Sequence, residues 1–400
     1  MFSYLPLIRQ QWPLLAFGFI TIFWGNLGQS FFISWYGAGI QASLNLDAAS
    51  YGMLYGLATL GSGITVLLLG GLIDRWPLRR FVVFSALLLL LATASLAWVS
   101  SSLMLVCSFY LLRLAGQGLM PHTAQTTMAR YFNHQRGKAL SLSASGVPAG
   151  EVLLPLLAVV LLGWLGWQQS WWVFSASVLL IYLPLALWLL RRAPQADELR
   201  LTPASVASGL GRLALLRDWR FWCVVPAVLS GPFFITGIFI QQGFILQQQG
   251  WSAAWLAQCF IAYGVIHWVT ALSAGQLVDR FTARRLLPWA QLPLLAALLV
   301  LALFSHPVSA LVFMALLGAS VGLSSPIGTA LWAELYGTGR LGSIRSMMVA
   351  FMVLATAAAP WLMGGLIEQG WSLTEIFLLG SGGVVLVLML LLPVTIHLNR

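Results

Sequence analysis

The chain has 400 residues, of which 60 % are hydrophobic and only 8 % charged, with a formal net charge of +10 and a mean hydropathy of +0.90. A soluble globular domain carries about 25 % charged residues, so this composition excludes that class. Cys107, Cys223 and Cys259 are odd in number and sit in apolar runs, without disulfide or metal-ligand spacing, and read as packing residues.

A helix of roughly 20 mostly apolar residues crosses a hydrocarbon core about 30 Å thick. Twelve such runs follow one another along the chain: 13–38, 51–73, 81–99, 103–128, 138–163, 170–190, 221–246, 253–277, 285–304, 308–334, 343–367 and 373–397. The first is too long for the apolar core of a cleaved leader and reads as the first span. The expected fold is an all-α integral membrane protein with twelve transmembrane helices.

Charge orders these spans. With a cytoplasmic N-terminus, nineteen of the 20 Lys and Arg fall on the cytoplasmic side, and the remaining one, Arg113, lies inside a span. The outer loops, such as "VSSSL" and "LQQQGWS", carry none. The asymmetry follows the positive-inside rule. It makes the basic balance a topology signal and argues against a nucleic-acid partner. A multi-pass protein of the cell's inner (plasma) membrane is expected, with both termini cytoplasmic and the lipid bilayer as its surroundings. Trp164, Trp167, Trp171, Trp172, Trp251 and Trp371 fall at the outer boundary and read as an aromatic belt. There is no phosphate-binding Gly loop with a Lys, no His-Glu metal pair and no Ser/His/Asp set. Enzyme activity, metal and cofactor are therefore not expected.

The loop after the second span reads "GGLIDRWPLRR", and "GQLVDRFTARR" follows the eighth. Aligning Asp74 on Asp279 gives a shift of 279 − 74 = 205, which also pairs Gly70 with Gly275, Arg75 with Arg280 and Arg79 with Arg284. The same shift pairs Gly137 with Gly342 and Pro155 with Pro360. A constant offset at separate places argues for a duplicated six-span unit. The expected domains are an N-terminal bundle (1–192), a basic cytoplasmic linker (193–219) and a C-terminal bundle (220–400). Two such repeats around a central cavity are the architecture of a secondary transporter.

In these residues the chain resembles the major facilitator superfamily. That family's loop signature is approximately G-x-x-x-D-R-x-G-R-R. Gly70, Asp74 and Arg75 match it, Pro77 replaces the second Gly, and the paired arginines come one place later. "RLAGQG", with Arg113, Gly116 and Gly118, matches the family's R-x-x-G-x-G in the fourth helix. "ARYFNHQRGKALSLSASGVPAG" looks like the corresponding stretch of organic-anion members. The resemblance implies a transporter whose first, fourth, seventh and tenth helices line the cavity. The fifth and eleventh spans start on the cytoplasmic side, so their N-terminal ends attract negative charge. Asp74 is expected to face the start of the eleventh near Gly342, and Asp279 the start of the fifth near Gly137. Gly70, Asp74, Arg75 and Arg79, with Gly275, Asp279, Arg280 and Arg284, are then gating residues. Glu334 and Arg345 flank a further cytoplasmic loop and read as gate or topology residues. The plainer reading of all these charges is topology alone.

Ionisable groups inside the membrane cost about 2.5–3.5 kcal/mol on insertion scales. Arg113 lies ten residues into the fourth run, about 15 Å deep at 1.5 Å per residue. Glu151, thirteen residues into the antiparallel fifth run, reaches a similar depth. They read either as a static ion pair or as a pair that exchanges its partner for a substrate anion or a proton. Asn26 and Gln29 in the first span, Arg113, and Gln241 in the seventh are candidate substrate-binding residues, with helix–helix hydrogen bonding the alternative for the amides. A Gly231–Pro232 break is expected in the seventh span. Glu151 and His267 are the candidates for proton coupling, and His122 and His267 also have packing readings. Asp47 reads as the N-cap of the second span.

The function expected is secondary active transport of a small solute, an organic anion, by alternating access with proton coupling. Export of hydrophobic or cationic compounds is the alternative, and a non-transporting membrane sensor or scaffold a second one. The helix 5 antiporter pattern of the family is only loosely echoed by "SASGVPAGE", so symport and antiport stay open.

Overall fold

The structure is a computed structural model in which residues 5–132, 135–193, 215–336 and 341–397 are described. Every regular element among them is a helix. In a lipid interior a helix satisfies each backbone polar group within its own segment, which an open strand does not.

Helix α1 (Leu5–Gly25) runs into a 3-10 turn at Asn26–Gly28, and the chain then continues to Leu44 after a bend of 52°. α2 is Ala48–Leu69, α3 Leu78–Ala97 and α4 Ser102–Tyr131. The next helical stretch, Arg136–Arg191, has 56 residues, about 84 Å at 1.5 Å per residue, far too long for one crossing. It breaks at Gly166, where φ is 75° and ψ 177°, a conformation essentially confined to glycine. The two parts are α5 (136–165) and α6 (167–191). α7 (Trp219–Ile240), α8 (Ala253–Phe281), α9 (Ala283–Leu303), α10 (Pro307–Tyr336), α11 (Leu341–Glu368) and α12 (Leu373–His397) complete the described chain. Ten stretches pass as membrane-length helices and the bent first pair makes eleven; dividing Arg136–Arg191 at Gly166 gives twelve.

Local sequence sets the helix starts. Asp47 Oδ1 accepts from Ser50 N at 2.6 Å before α2, and Ser252 Oγ accepts from Trp255 N at 3.1 Å before α8. Ser372 and Glu375 form a reciprocal box before α12: Glu375 N donates to Ser372 Oγ and Ser372 N to Glu375 Oε2. Each removes an orphan N–H from the first turn.

Large apolar side chains stand outward: Leu68 and Leu103 are 75 % exposed and Trp164 81 %. In water such a surface would aggregate; in lipid it is the solvated face. Two tryptophans of the expected belt are corrected by the structure. Trp171 is buried among Phe32, Tyr36 and Phe174, and buried Trp251 donates its indole N–H to Ser305 O at 3.0 Å. Packing partners outcompete the interface at both positions. The expected break at Gly231–Pro232 is corrected too. α7 runs through both residues, and the helix breaks instead at Gln241 (φ −94°, ψ 21°).

The chain divides into two compact units, residues 1–46 with 57–204, and residues 47–56 with 205–400. The expected 1–192 bundle differs from the first unit chiefly at 47–56. Within the second unit the start of α2 lies on α11 through glycines: a Cβ on Gly52 would meet the Pro360 carbonyl and sit 2.9 Å from Trp361 N, and one on Gly364 would sit 2.8 Å from Ala49 Cα. Small residues let helix backbones approach this closely. Most of the expected linker, residues 194–214, lies outside the described residues.

Candidate functional site

The site in the first unit is built around the break in α1. Gly28 lies on α4: a Cβ there would stand 2.8 Å from Gly116 Cα and from Gln117 N. α4 is itself irregular here. Its residues Arg113–Leu119, the whole R-x-x-G-x-G stretch, form a π segment, a widened turn that recurs at functional sites. Arg113 opens that segment, is 3 % exposed, and donates from a terminal guanidinium nitrogen to Gly28 O at 3.4 Å.

Asn26, 1 % exposed, faces the other neighbour, α5. Its Nδ2 donates to Gly146 O at 2.9 Å and Val147 O at 3.4 Å. Gly150 makes room for it, since a Cβ there would lie 2.7 Å from Asn26 Cγ. Glu151, the next residue of α5, is 3 % exposed. The break in α1 thus touches Arg113's helix through Gly28 and Glu151's helix through Asn26. Gln29 follows the break in an extended conformation (φ −84°, ψ 149°) and is half-buried. One turn earlier, Trp24 Nε1 donates to Ser177 Oγ at 3.2 Å and Thr21 Oγ1 lies 3.3 Å from Tyr182 Oη, beside a second π segment at Val178–Tyr182 of α6.

The offset of 205 shows how one-sided this arrangement is. Arg113 corresponds to Gly318 (113 + 205 = 318), Glu151 to Thr356 (151 + 205 = 356) and Asn26 to Gly231 (26 + 205 = 231). The charged set belongs to the first repeat. Gly318 instead carries packing: a Cβ there would lie 3.1 Å from Tyr263 Cα.

The remaining candidates belong to the second unit. The Gln241 amide donates to Ala48 O at 2.9 Å and Pro360 O at 3.0 Å and is 2 % exposed. It joins the start of α2 to α11. His267 is half-buried on α8, its ring 6.2 Å from that of Tyr263.

The two loop signatures fold differently. α2 ends at Leu69, and the first copy makes a separate turn of helix, Leu72–Arg75. α4 holds that turn: His122 Nε2 lies 3.0 Å from Gly70 O, and an Arg130 guanidinium nitrogen donates to Ile73 O at 3.1 Å. Neither contact was legible in the sequence, because each runs to a backbone carbonyl more than 50 residues away. Arg75 is exposed and Arg79 half-buried. The side chains of Asp74 and Arg345, and the surroundings of Gly342, lie outside what the structure describes. In the second copy α8 runs unbroken to Phe281, with Gly275, Asp279 and Arg280 exposed. Thr282 then takes φ 67° and ψ 147°. Glu334 at the end of α10 caps α9, accepting from Ala283 N at 2.7 Å and Arg284 N at 3.1 Å, with Arg284 Nε 3.6 Å away.

The comparisons with known proteins agree with this architecture. The sequence profile described as the Major Facilitator Superfamily matches residues 15–266 and 233–399. A chloramphenicol resistance protein of Streptomyces lividans is 25 % identical over 80 % of this chain and 81 % of its own. Monocarboxylate transporter 11 of Mus musculus is 25 % identical over 77 % of this chain and 70 % of its own. Among solved structures, the nucleoside transporter NupG matches with a TM-score of 0.75 at 13 % identity, covering 95 % of this chain and 99 % of that one; at that identity the likeness is one of fold. The profile accounts for nearly the whole chain, and the helices, lipid-facing surface and repeats are those of a multi-pass transporter. This protein belongs to the major facilitator superfamily.

Proposed function

We propose that this transporter is a proton-linked carrier of a small organic anion, working by alternating access in an inner membrane with both termini cytoplasmic. The observation that carries the reading is the pair Arg113 and Glu151, each 3 % exposed, on helices that meet the same break in α1. A guanidinium kept charged in a membrane interior needs negative charge near it, and its planar fork matches a carboxylate. In this mechanism Glu151 and the solute compete for that charge: a proton taken up by Glu151 leaves Arg113 to the solute, so binding and protonation are linked. Asn26 and Gln29 supply hydrogen bonds beside Arg113, with Gln241 and His267 as the second unit's polar groups. The loop signatures, Gly70 to Arg79 and Gly275 to Arg284, act as gates. The name of the mouse relative fits an anionic solute.

The Streptomyces lividans relative favours a second reading, export of an apolar compound of the kind in its name. One experiment separates the two. Purified protein is titrated with carboxylates and with chloramphenicol, as wild type, as Arg113→Lys, and as the double variant Arg113→Ala with Glu151→Ala. The anion reading expects Arg113→Lys to weaken carboxylate binding about tenfold or more, the scale of a lost charge-assisted bond. A folded double variant that binds carboxylates as tightly as wild type overturns it. Chloramphenicol binding that ignores both changes supports export.

A further inference from the structure

We infer that the solute bound at Arg113 carries a hydrogen-bond donor close to its anionic group, a hydroxyl or a neutral N–H one or two carbons from a carboxylate, and that the Asn26 side-chain oxygen receives it. The inference rests on the anion reading above and narrows it.

The argument begins with the orientation of one amide. Asn26 meets two carbonyl oxygens, Gly146 O at 2.9 Å and Val147 O at 3.4 Å. Carbonyls only accept, so the nitrogen must face them and Oδ1 must point elsewhere. That oxygen is buried and has no hydrogen-bond partner among the described residues, in a residue only 1 % exposed. Native interiors rarely leave a buried acceptor unused, and each one calls for an explanation. Packing does not supply it. A serine or threonine hydroxyl could donate toward α5 without stranding a second polar atom. Gly150 nevertheless keeps room for the full amide.

The position of the orphan oxygen suggests its use. Asn26 opens the 3-10 turn that ends at Gly28, and Gly28 O is the acceptor for the Arg113 guanidinium. Asn26 and the acceptor of Arg113 therefore share one turn of chain, which is what a small solute with its donor close to its carboxylate would span. The amide oxygen is also uncharged, so it takes a donor without competing with the solute for Arg113. A carboxylate lacking the donor would leave Oδ1 unsatisfied in the bound state. Sites built to bond a substrate hydroxyl discriminate against the analogue lacking it for this reason.

The test uses the purified full chain and matched carboxylate pairs of increasing length: glycolate against acetate, 3-hydroxybutyrate against butyrate, and longer hydroxylated acids against their parent acids. Affinities are read by calorimetry for wild type, Asn26→Leu and Asn26→Ser; the serine keeps a donor toward α5 should the leucine variant fail to fold. Wild type is expected to favour the hydroxylated member about five- to tenfold, the scale of one net hydrogen bond, with the ratio falling to near one in either variant. Equal affinities within the pairs in wild type overturn the inference and leave the anion reading standing. A preference that survives intact in a folded Asn26→Leu also overturns it, since the acceptor is then another group. If no carboxylate of either kind binds, the anion reading itself fails, and this inference with it.

Discussion

Gly28 and Gly116 meet backbone to backbone: a Cβ on Gly116 would stand 2.6 Å from Gly28 N and 2.7 Å from Gly28 Cα. Every neighbour at that distance is main chain, so nothing flexible can yield. Gly116→Ala should therefore push α1 from α4 and destabilise the protein by about 1–3 kcal/mol, the usual cost of overpacking. Gly163→Ala is the control. It is helical with nothing within 4 Å of its added Cβ, and should be neutral or slightly stabilising. Thermal unfolding of the two variants in detergent decides it; equal midpoints would mean that the crossing is loose.

Gln241 offers a test on the second unit. Its amide satisfies Ala48 O and Pro360 O together. Interhelical hydrogen bonds in membrane proteins average about 0.6 kcal/mol each, so Gln241→Leu should cost about 1 kcal/mol. Loss of protection at the start of α2 and the middle of α11 in hydrogen exchange would locate the damage. Unchanged exchange there would argue that glycine packing alone holds the segment.

At Thr282 the backbone sits in a region that glycine prefers (φ 67°, ψ 147°), where strain is about 1–3 kcal/mol. Thr282→Gly should raise stability by about 1 kcal/mol. Glu334→Ala removes the acceptor of Ala283 N and Arg284 N and should lower it by about 1–2 kcal/mol, as the loss of a helix cap does. Unfolding midpoints of the two single variants, measured side by side, should move in opposite directions.

The gate reading concerns rates. Asp74→Asn should slow turnover in reconstituted vesicles with little change in solute binding, because a contact made in one state alone shifts the balance of states. His122→Leu and Arg130→Ala release Gly70 O and Ile73 O from α4 and should slow turnover in the same way. Normal turnover in all three would leave the loop with topology alone.

Asp47 makes a pH-dependent prediction. Hydrogen bonds from Ser50 hold its carboxyl below the ordinary value of 3.8. A depressed folded-state pKa contributes stability above the unfolded value, and that contribution is lost as pH falls through the folded one. Asp47→Ala should therefore cost about 0.5–1 kcal/mol at neutral pH, as other N-cap losses do, and the gap to wild type should narrow below about pH 4. A gap that is constant between pH 7 and pH 3 would show that charge at this cap is irrelevant.

Short-range physics made much of this molecule legible in its sequence. A span is fixed by how much apolar surface and backbone it must hide from lipid, and both are local quantities; hence, among the described residues, the helices match the apolar runs in number once Arg136–Arg191 is divided at Gly166. Asp47 declared itself as a cap because the N–H it satisfies is three residues away. Arg113 and Glu151 stood out because a charge in a greasy run is conspicuous without a structure. Only the tertiary structure decided what those groups touch. The Asn26 amide reaches a carbonyl 120 residues on, Arg113 one 85 residues back, and Gln241 one 193 residues back. A backbone carbonyl is the same in every residue, so no side-chain pattern advertises which one will be used. The same holds for Gly28, Gly116, Gly52 and Gly364. A glycine in a span is compatible with bending, crossing or open space, and its role is set by the helix that arrives against it.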